Sequence, residues 1–434
     1  NLFCMSCPFM LPRELGKKMA MRLSLARLPW PRQLRGKWLS AALLGLFFWA
    51  YEAFAWWDSP ARTAWLLAAY FVTAFAMDSV FRGASFCKYV CPVGQFNFVS
   101  SLVSPMELKA RSQATCGSCS TRDCIAGNAT QRGCELDLFM PLKSGNVNCT
   151  LCMDCVKACP HDNIGLFVQA PGRELVALTA DDPQRSSVGR YSRRPDLALL
   201  SLIVVAAAFA SAAVMVVPVA SALDALSRLL PPPGWLGRAA GLGLAALAPS
   251  VLLGALAGAL WLMRGPFAIA APSSALPALL PVRGAGDTTL RAQLCRSSLA
   301  LLPLGLGMWA AHLCFHLMTG WNSILPALQQ AARDLHVPYG AGSPDWAVEH
   351  SLLGPDALLQ CQLGLLDAGL LFALYLGWRM VRPAASPGVR SDLRAPLGKS
   401  VAAMTPWATV VLLLYAAGVW VLLEPMQMRG IMGM

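Results

Sequence analysis

Seven stretches of this chain are apolar over about twenty residues or more: 38–57, 63–82, 197–222, 237–263, 298–320, 359–381 and 403–423. A helix of that length crosses the hydrocarbon of a bilayer. Lipid offers no water to backbone N–H and C=O groups, so spanning segments must close their hydrogen bonds internally. Composition agrees, with 56% hydrophobic and 13% charged residues, about half the charged share usual in soluble domains. The expected fold is therefore an all-α polytopic membrane protein with about seven transmembrane helices. The segment 268–282 is apolar too, but it is short and carries Pro272, Pro277 and Pro281, and it reads as interfacial.

Orientation follows from where the basic residues lie. Thirty of the 35 Lys and Arg flank one set of span ends, and only Arg62, Arg228, Arg238, Arg333 and Arg429 flank the other. The rule places residues 83–170 in the cytoplasm and the C-terminus in the periplasm of a bacterial inner membrane. The net charge of +12 is thus a topological signal in contact with lipid, not a nucleic-acid footprint. The chain divides into an N-terminal membrane region (1–82), a cysteine-rich module (83–170), a linker (171–196) and a C-terminal membrane domain (197–434). It begins at Asn1, and a further span upstream is expected.

The cysteine-rich module carries the chemistry. Cys149-x2-Cys152-x2-Cys155-x3-Cys159-Pro160 has the spacing with which bacterial ferredoxins hold [4Fe–4S] clusters, the fourth cysteine serving a second cluster. A zinc ribbon or disulfide knot is the competing reading. Cys116, Cys119, Cys124 and Cys134 bring the pool to eight, as two cubanes require. Cross-ligation predicts one cluster on Cys116, Cys119, Cys124 and Cys159 and the other on Cys134, Cys149, Cys152 and Cys155. The module is expected to be a small α+β two-cluster ferredoxin. Two more pairs, Cys4-x2-Cys7-Pro8 and Cys87-x3-Cys91-Pro92, fall on the same membrane face. They suit a third iron–sulfur or metal site or a redox dithiol pair, unless the prolines simply end helices.

Cys87-Lys-Tyr-Val-Cys91-Pro92 beside a span, followed by the two cysteine runs, resembles the NapH/NosR/CcoG group of membrane polyferredoxins over roughly residues 1–170. The resemblance implies electrons taken up at the membrane, often from quinol, for periplasmic reductases or metal handling. The x2 spacing of the first pair, the irregular 116–134 run and the region 197–434 depart from that pattern.

Ionisable groups within spans are expensive and point to function by default. His312 and His316 share a helical face. Counted from the outer span ends, His312 and Asp367 lie at the same depth of about 12 Å, as a proton-accepting pair for quinone chemistry would. Interhelical hydrogen bonding and a metal or haem site remain alternatives. Glu52 and Asp78 are weaker candidates of the same kind. Cys295, Cys314 and Cys361 read as small apolar residues. Met426, Met428, Met432 and Met434 near the C-terminus could bind copper or simply pack, and the loop 321–358 reads as a small outer cap. No G-x-G-x-x-G motif offers a dinucleotide site. The chain reads as an iron–sulfur electron-transfer subunit, an oxidoreductase component of quinol dehydrogenase type. It would link the quinone pool or a cytoplasmic donor to a redox partner in a respiratory complex. The alternatives are a copper or metal reductase or maturation factor, and a redox sensor.

Overall fold

The computed structural model describes residues 2–56, 59–180, 184–229, 290–336, 352–381 and 397–426, with scattered positions between 239 and 258. The N-terminal part holds α1 (Leu2–Met5), α2 (Met10–Arg22), α3 (Trp38–Ala53), α4 (Pro60–Val80) and α5 (Pro92–Ser100). The cysteine region holds β1 (Met106–Ala110), α6 (Gln113–Ser118), α7 (Asp123–Ala126), α8 (Asp154–Ala158) and β2 (Ile164–Val168). Beyond it come α9 (Arg173–Ala180), α10 (Pro195–Ala213), α11 (Val217–Leu229), α12 (Leu290–Ala300), α13 (Leu302–Gly320), α14 (Ile324–Asp334), α15 (Pro355–Val381) and α16 (Leu397–Leu423).

Five helical runs among the described residues are long and apolar enough to cross a membrane: Pro60–Val80, Pro195–Ala213, Leu290–Asp334, Pro355–Met380 and Met404–Leu423. This is a membrane protein, with five such runs where seven were expected. Of the other two expected spans, 38–57 is realised as α3, whose 16 residues reach about 24 Å, short of the ~30 Å hydrocarbon. The span 237–263, the segment 268–282 and most of the outer cap lie outside the described residues, as do Met428, Met432 and Met434.

Helix starts follow local chemistry. Pro60 and Pro195 occupy first-turn positions, where the missing N–H costs nothing. Ser59 caps α4 by accepting from Arg62 N. The helical core is apolar and continuous, running from Leu44 of α3 through Leu200 and Val204 of α10 to Met308 of α13 and Leu366 of α15. The expected linker is packed onto this core. Leu175 of α9 is buried, Glu174 pairs with Arg185 at 2.9 Å, and the Arg185 guanidinium lies 3.8 Å from the Tyr191 ring centre.

The N-terminal segment is joined to the cysteine region by buried charge. Gly16 lets α2 lie directly on α4, since a Cβ there would sit 2.6 Å from Phe75 O. One turn earlier, Arg13 meets Asp78 at 2.6 Å, with both side chains almost wholly buried. Lys17 reaches Glu135 at 2.5 Å, and Arg132 bridges Glu14 at 2.6 Å and Asp154 at 2.9 Å. The in-span carboxylate Asp78 is thus an ion-pair anchor.

Candidate functional site

The two strands fasten the ends of the cysteine loops. β1 and β2 pair antiparallel, from Met106 opposite Val168 to Ala110 opposite Ile164. Between them the backbone turns repeatedly through the left-handed region at non-glycine residues: Arg122 (φ 53°), Asn148 (63°), Leu151 (55°) and Met153 (64°). Such residues are uncommon and cluster at functional sites. Here they flank the cysteines and turn amide N–H groups toward sulfur. The backbone of Arg122 hydrogen-bonds Cys119, that of Asp154 bonds Cys152, and those of Leu136 and Leu138 bond Cys134.

Cys116, Cys119, Cys124 and Cys159 line one solvent-open cleft of about 360 Å³, together with Arg122, Phe139 and His161. This is the first set expected from the spacing, and its rim is open to solvent at Arg122 and His161. The second set is interior. Cys149 and Cys155 are buried among Leu108, Leu136, Leu138, Leu151 and Ile164, with Cys134 packed against them. Burial pushes the Cys155 thiol up, and Cys134, Cys149 and Cys152 add to that effect. The two sets touch through Cys134 N, which donates to Cys124 O at 2.9 Å.

The two remaining pairs, 80 residues apart in sequence, meet. Cys4, Cys7, Cys87 and Cys91 line a second, partly open cleft of about 400 Å³, walled by Phe3, Phe9, Phe86, Phe98 and Thr150. Local sequence builds it. Cys87 sits in a π-helical turn, Phe86–Val90, a rare element that often marks function. Pro92 opens α5 at its first turn, which leaves Cys91 as the cap, its Sγ accepting from Gly94 N at 3.2 Å. Phe9 packs tilted against Tyr70 and edge-on against Phe71, with ring centres 5.2 and 5.1 Å away, about 15 Å along α4 from Val80. Thr150, on the other wall, follows Cys149 in the chain, and Cys4 feels the charge of Cys149.

Two asparagines that the spacing did not single out complete these environments. Asn163 donates through Nδ2 to Cys116 Sγ at 3.2 Å and through its backbone N to Cys159 Sγ at 3.4 Å. The same side chain ties down Ser112. Asn97 Nδ2 donates to Cys4 Sγ at 3.4 Å. Their only sequence signal is proximity: Asn163 lies four residues after Cys159 and Asn97 six after Cys91.

Burial pushes the thiols up, Cys152 to about 11 and Cys87 to about 12. It raises Cys91 and Cys155 further, each with neighbouring cysteines adding to the effect. Cys119, at the open rim, is lowered by the Arg122 N–H and the Thr121 hydroxyl. Crowded, buried thiols hold negative charge only with cationic compensation. Buried cations are present: Lys143 Nζ donates to Leu108 O and Gly145 O at 2.5 Å and lowers Cys155, while Arg13 lowers Cys87. Among the described residues no three His, Cys, Asp or Glu side chains close on a single metal ion. A cubane spreads its thiolates around four irons, so sulfurs on the rim of a cleft, backed by N–H donors, fit such a cluster.

The polar groups of the helical region form separate local pairs. His312 and His316 meet through Nε2 at 3.2 Å. Asp367 accepts from Tyr415 Oη of α16 at 2.6 Å. Gln362 donates to Ala311 O, and a Cβ on Gly369 would lie 2.7 Å from Pro303 O. This antiparallel register sets Asp367 level with Leu306, about 9 Å along α13 from His312. The equal depth inferred from span ends does not hold, because α15 begins at Pro355, earlier than its apolar stretch suggests.

Over 91 residues the chain is 35% identical to the "Putative electron transport protein YccM" of Escherichia coli (strain K12), a match covering 20% of this chain and 23% of that protein. No protein-family model and no solved structure matches the chain.

Proposed function

We propose that this protein is an inner-membrane electron conduit with three thiolate-held centres in series. Two [4Fe–4S] clusters would be held by Cys116, Cys119, Cys124 and Cys159 and by Cys134, Cys149, Cys152 and Cys155. A third metal–sulfur centre would be held by Cys4, Cys7, Cys87 and Cys91. The observation that carries the reading is the meeting of two remote cysteine pairs on one cleft, walled by Thr150 on one side and reaching α4 through Phe9 on the other. The similarity to a protein named for electron transport supports the general role.

Bound clusters supply one-electron storage at three successive points. The protein's own contribution is order and environment. Cys116 and Cys119 sit at the solvent rim, where a soluble redox partner can approach. Cys149 and Cys155 are buried, and the Cys4–Cys91 cleft abuts α4 through Phe9. Asn163, Asn97 and Gly94 donate N–H groups to sulfur, which stabilises the more negative, reduced state. The quinone pool is the proposed partner at the membrane end. The Asp367–Tyr415 pair, exposed on the helix surface within a candidate span, is its proposed proton acceptor, because quinol gives up protons with its electrons.

The test is to add a quinol analogue to anaerobic purified protein and follow the visible cluster absorbance. Bleaching that is lost in Asp367→Asn at unchanged iron content supports quinol coupling at that pair. Full bleaching in the variant refutes the role of Asp367. No bleaching in the parent protein refutes the quinone partner.

A further inference from the structure

Outside these centres, one pair of nucleophilic side chains has no part in the proposed conduit. Cys314 of α13 and Cys361 of α15 face each other across the helix pair with their Sγ atoms 3.7 Å apart. Cys361 is exposed and Cys314 half-buried, unlike Cys295, which is enclosed by the core. The helices that carry them are locked in register. Gly307 and Gly369 interdigitate with the opposing backbone, and Gln362 Nε2 bonds Ala311 O at 3.2 Å. The two thiols therefore stay opposed. Closing to a bond of about 2.05 Å needs a shift of about 1.7 Å, within reach of side-chain rotation. Leu352 N donates to Met318 O where the chain returns to α13, and Cys314 lies one turn, about 6 Å, below that level. The distribution of Lys and Arg puts this end of α13 on the outer side, where thiols are oxidised.

We infer that Cys314 and Cys361 form a disulfide that clamps the outer ends of α13 and α15. The oxidant is a disulfide-bearing carrier protein of the outer compartment. The exposed Cys361, as thiolate, attacks one sulfur of the carrier disulfide and displaces the other as thiolate, giving a mixed disulfide. Cys314, as thiolate, then attacks Cys361 Sγ and releases the second carrier sulfur. Two protons leave the cysteine pair, two electrons pass to the carrier, and the carrier ends as a dithiol.

The test traps cells with acid and N-ethylmaleimide, digests the purified full-length protein and reads the peptides by mass spectrometry. The expected result is a 314–361 linked peptide in more than half of the chains, split by dithiothreitol. Cys361→Ser should leave Cys314 alkylated, and Cys314→Ser should leave Cys361 alkylated, with iron content unchanged in both. Full alkylation of both cysteines in the parent protein overturns the inference. The readout is independent of clusters and quinone, so its failure leaves the conduit reading untouched.

Discussion

The cysteine region and the helical region treat their polar side chains in opposite ways. Between Cys4 and Cys159, residues from four separate stretches are drawn to common clefts, at the expense of left-handed backbone and buried lysine and arginine. In the region from α10 to α16 the polar groups pair locally, His312 with His316 and Asp367 with Tyr415. The core between them is Leu, Val and Ala packed at close range. Left-handed backbone and buried charge concentrate around the cysteines, although Arg185 and Arg296 are buried against the helical core as well. On the proposed reading the first region is built around groups it would bind, and the second around itself.

If that contrast is right, substitutions in the two regions fail differently. The largest effect should come from Cys155→Ser, which removes a buried member of the interior set. Purified protein should lose about four irons, and the module should become protease-sensitive, since Leu108, Leu151 and Ile164 pack around that cysteine. Arg13→Ala comes next. It leaves the buried Asp78 with only Lys17, 3.9 Å away, and removing one member of a buried pair costs about 3–5 kcal/mol. Thermal unfolding in detergent should show a large fall in Tm, with partial recovery when Asp78→Asn is added.

Gly307→Leu probes the helical side. Its side chain would meet Leu365 O, 2.8 Å from the Cβ position, and overpacking of this kind costs about 1–3 kcal/mol. Here Tm should drop while iron content stays at the parent value; lost iron would break the contrast. The smallest effect concerns Glu14. Burial pushes its carboxyl up, but Arg132 and Lys17 hold it below the ordinary glutamate range. A depressed carboxyl stabilises fully above its unfolded value of about 4.3. That contribution is lost as pH falls through the lower folded value. Glu14→Gln should therefore lower Tm slightly at neutral pH and converge with the parent protein at low pH, flattening the acid limb of a Tm-against-pH curve.

The grouping of Cys116, Cys119, Cys124 and Cys159 on one cleft, and of Cys134 with Cys149 and Cys155, was legible in spacing, because a cysteine run is a local signal. The meeting of Cys4 and Cys7 with Cys87 and Cys91 was legible only as a shared membrane face. What brings them together is the packing of α2 on α4 through Gly16 and Arg13, which no spacing encodes. Five spans were readable from apolar length. The depth of Asp367 was not, since α15 starts before its apolar stretch does. Asn163 and Asn97 were invisible, as an asparagine near a cysteine has no distinguishing pattern until the fold aims its amide. Cys314 and Cys361 read as filler for the same reason, their contact being a product of helix register.

The central claim is the third thiolate centre, and counting answers it most directly. Iron and acid-labile sulfide should be measured per chain on anaerobically purified protein, beside Cys4→Ser and Cys91→Ser variants. The account predicts about twelve irons in the parent protein if the third centre is a cubane, falling to about eight in each variant. About eight irons in all three proteins would contradict it, and would leave the Cys4–Cys91 cleft as a structural or dithiol feature.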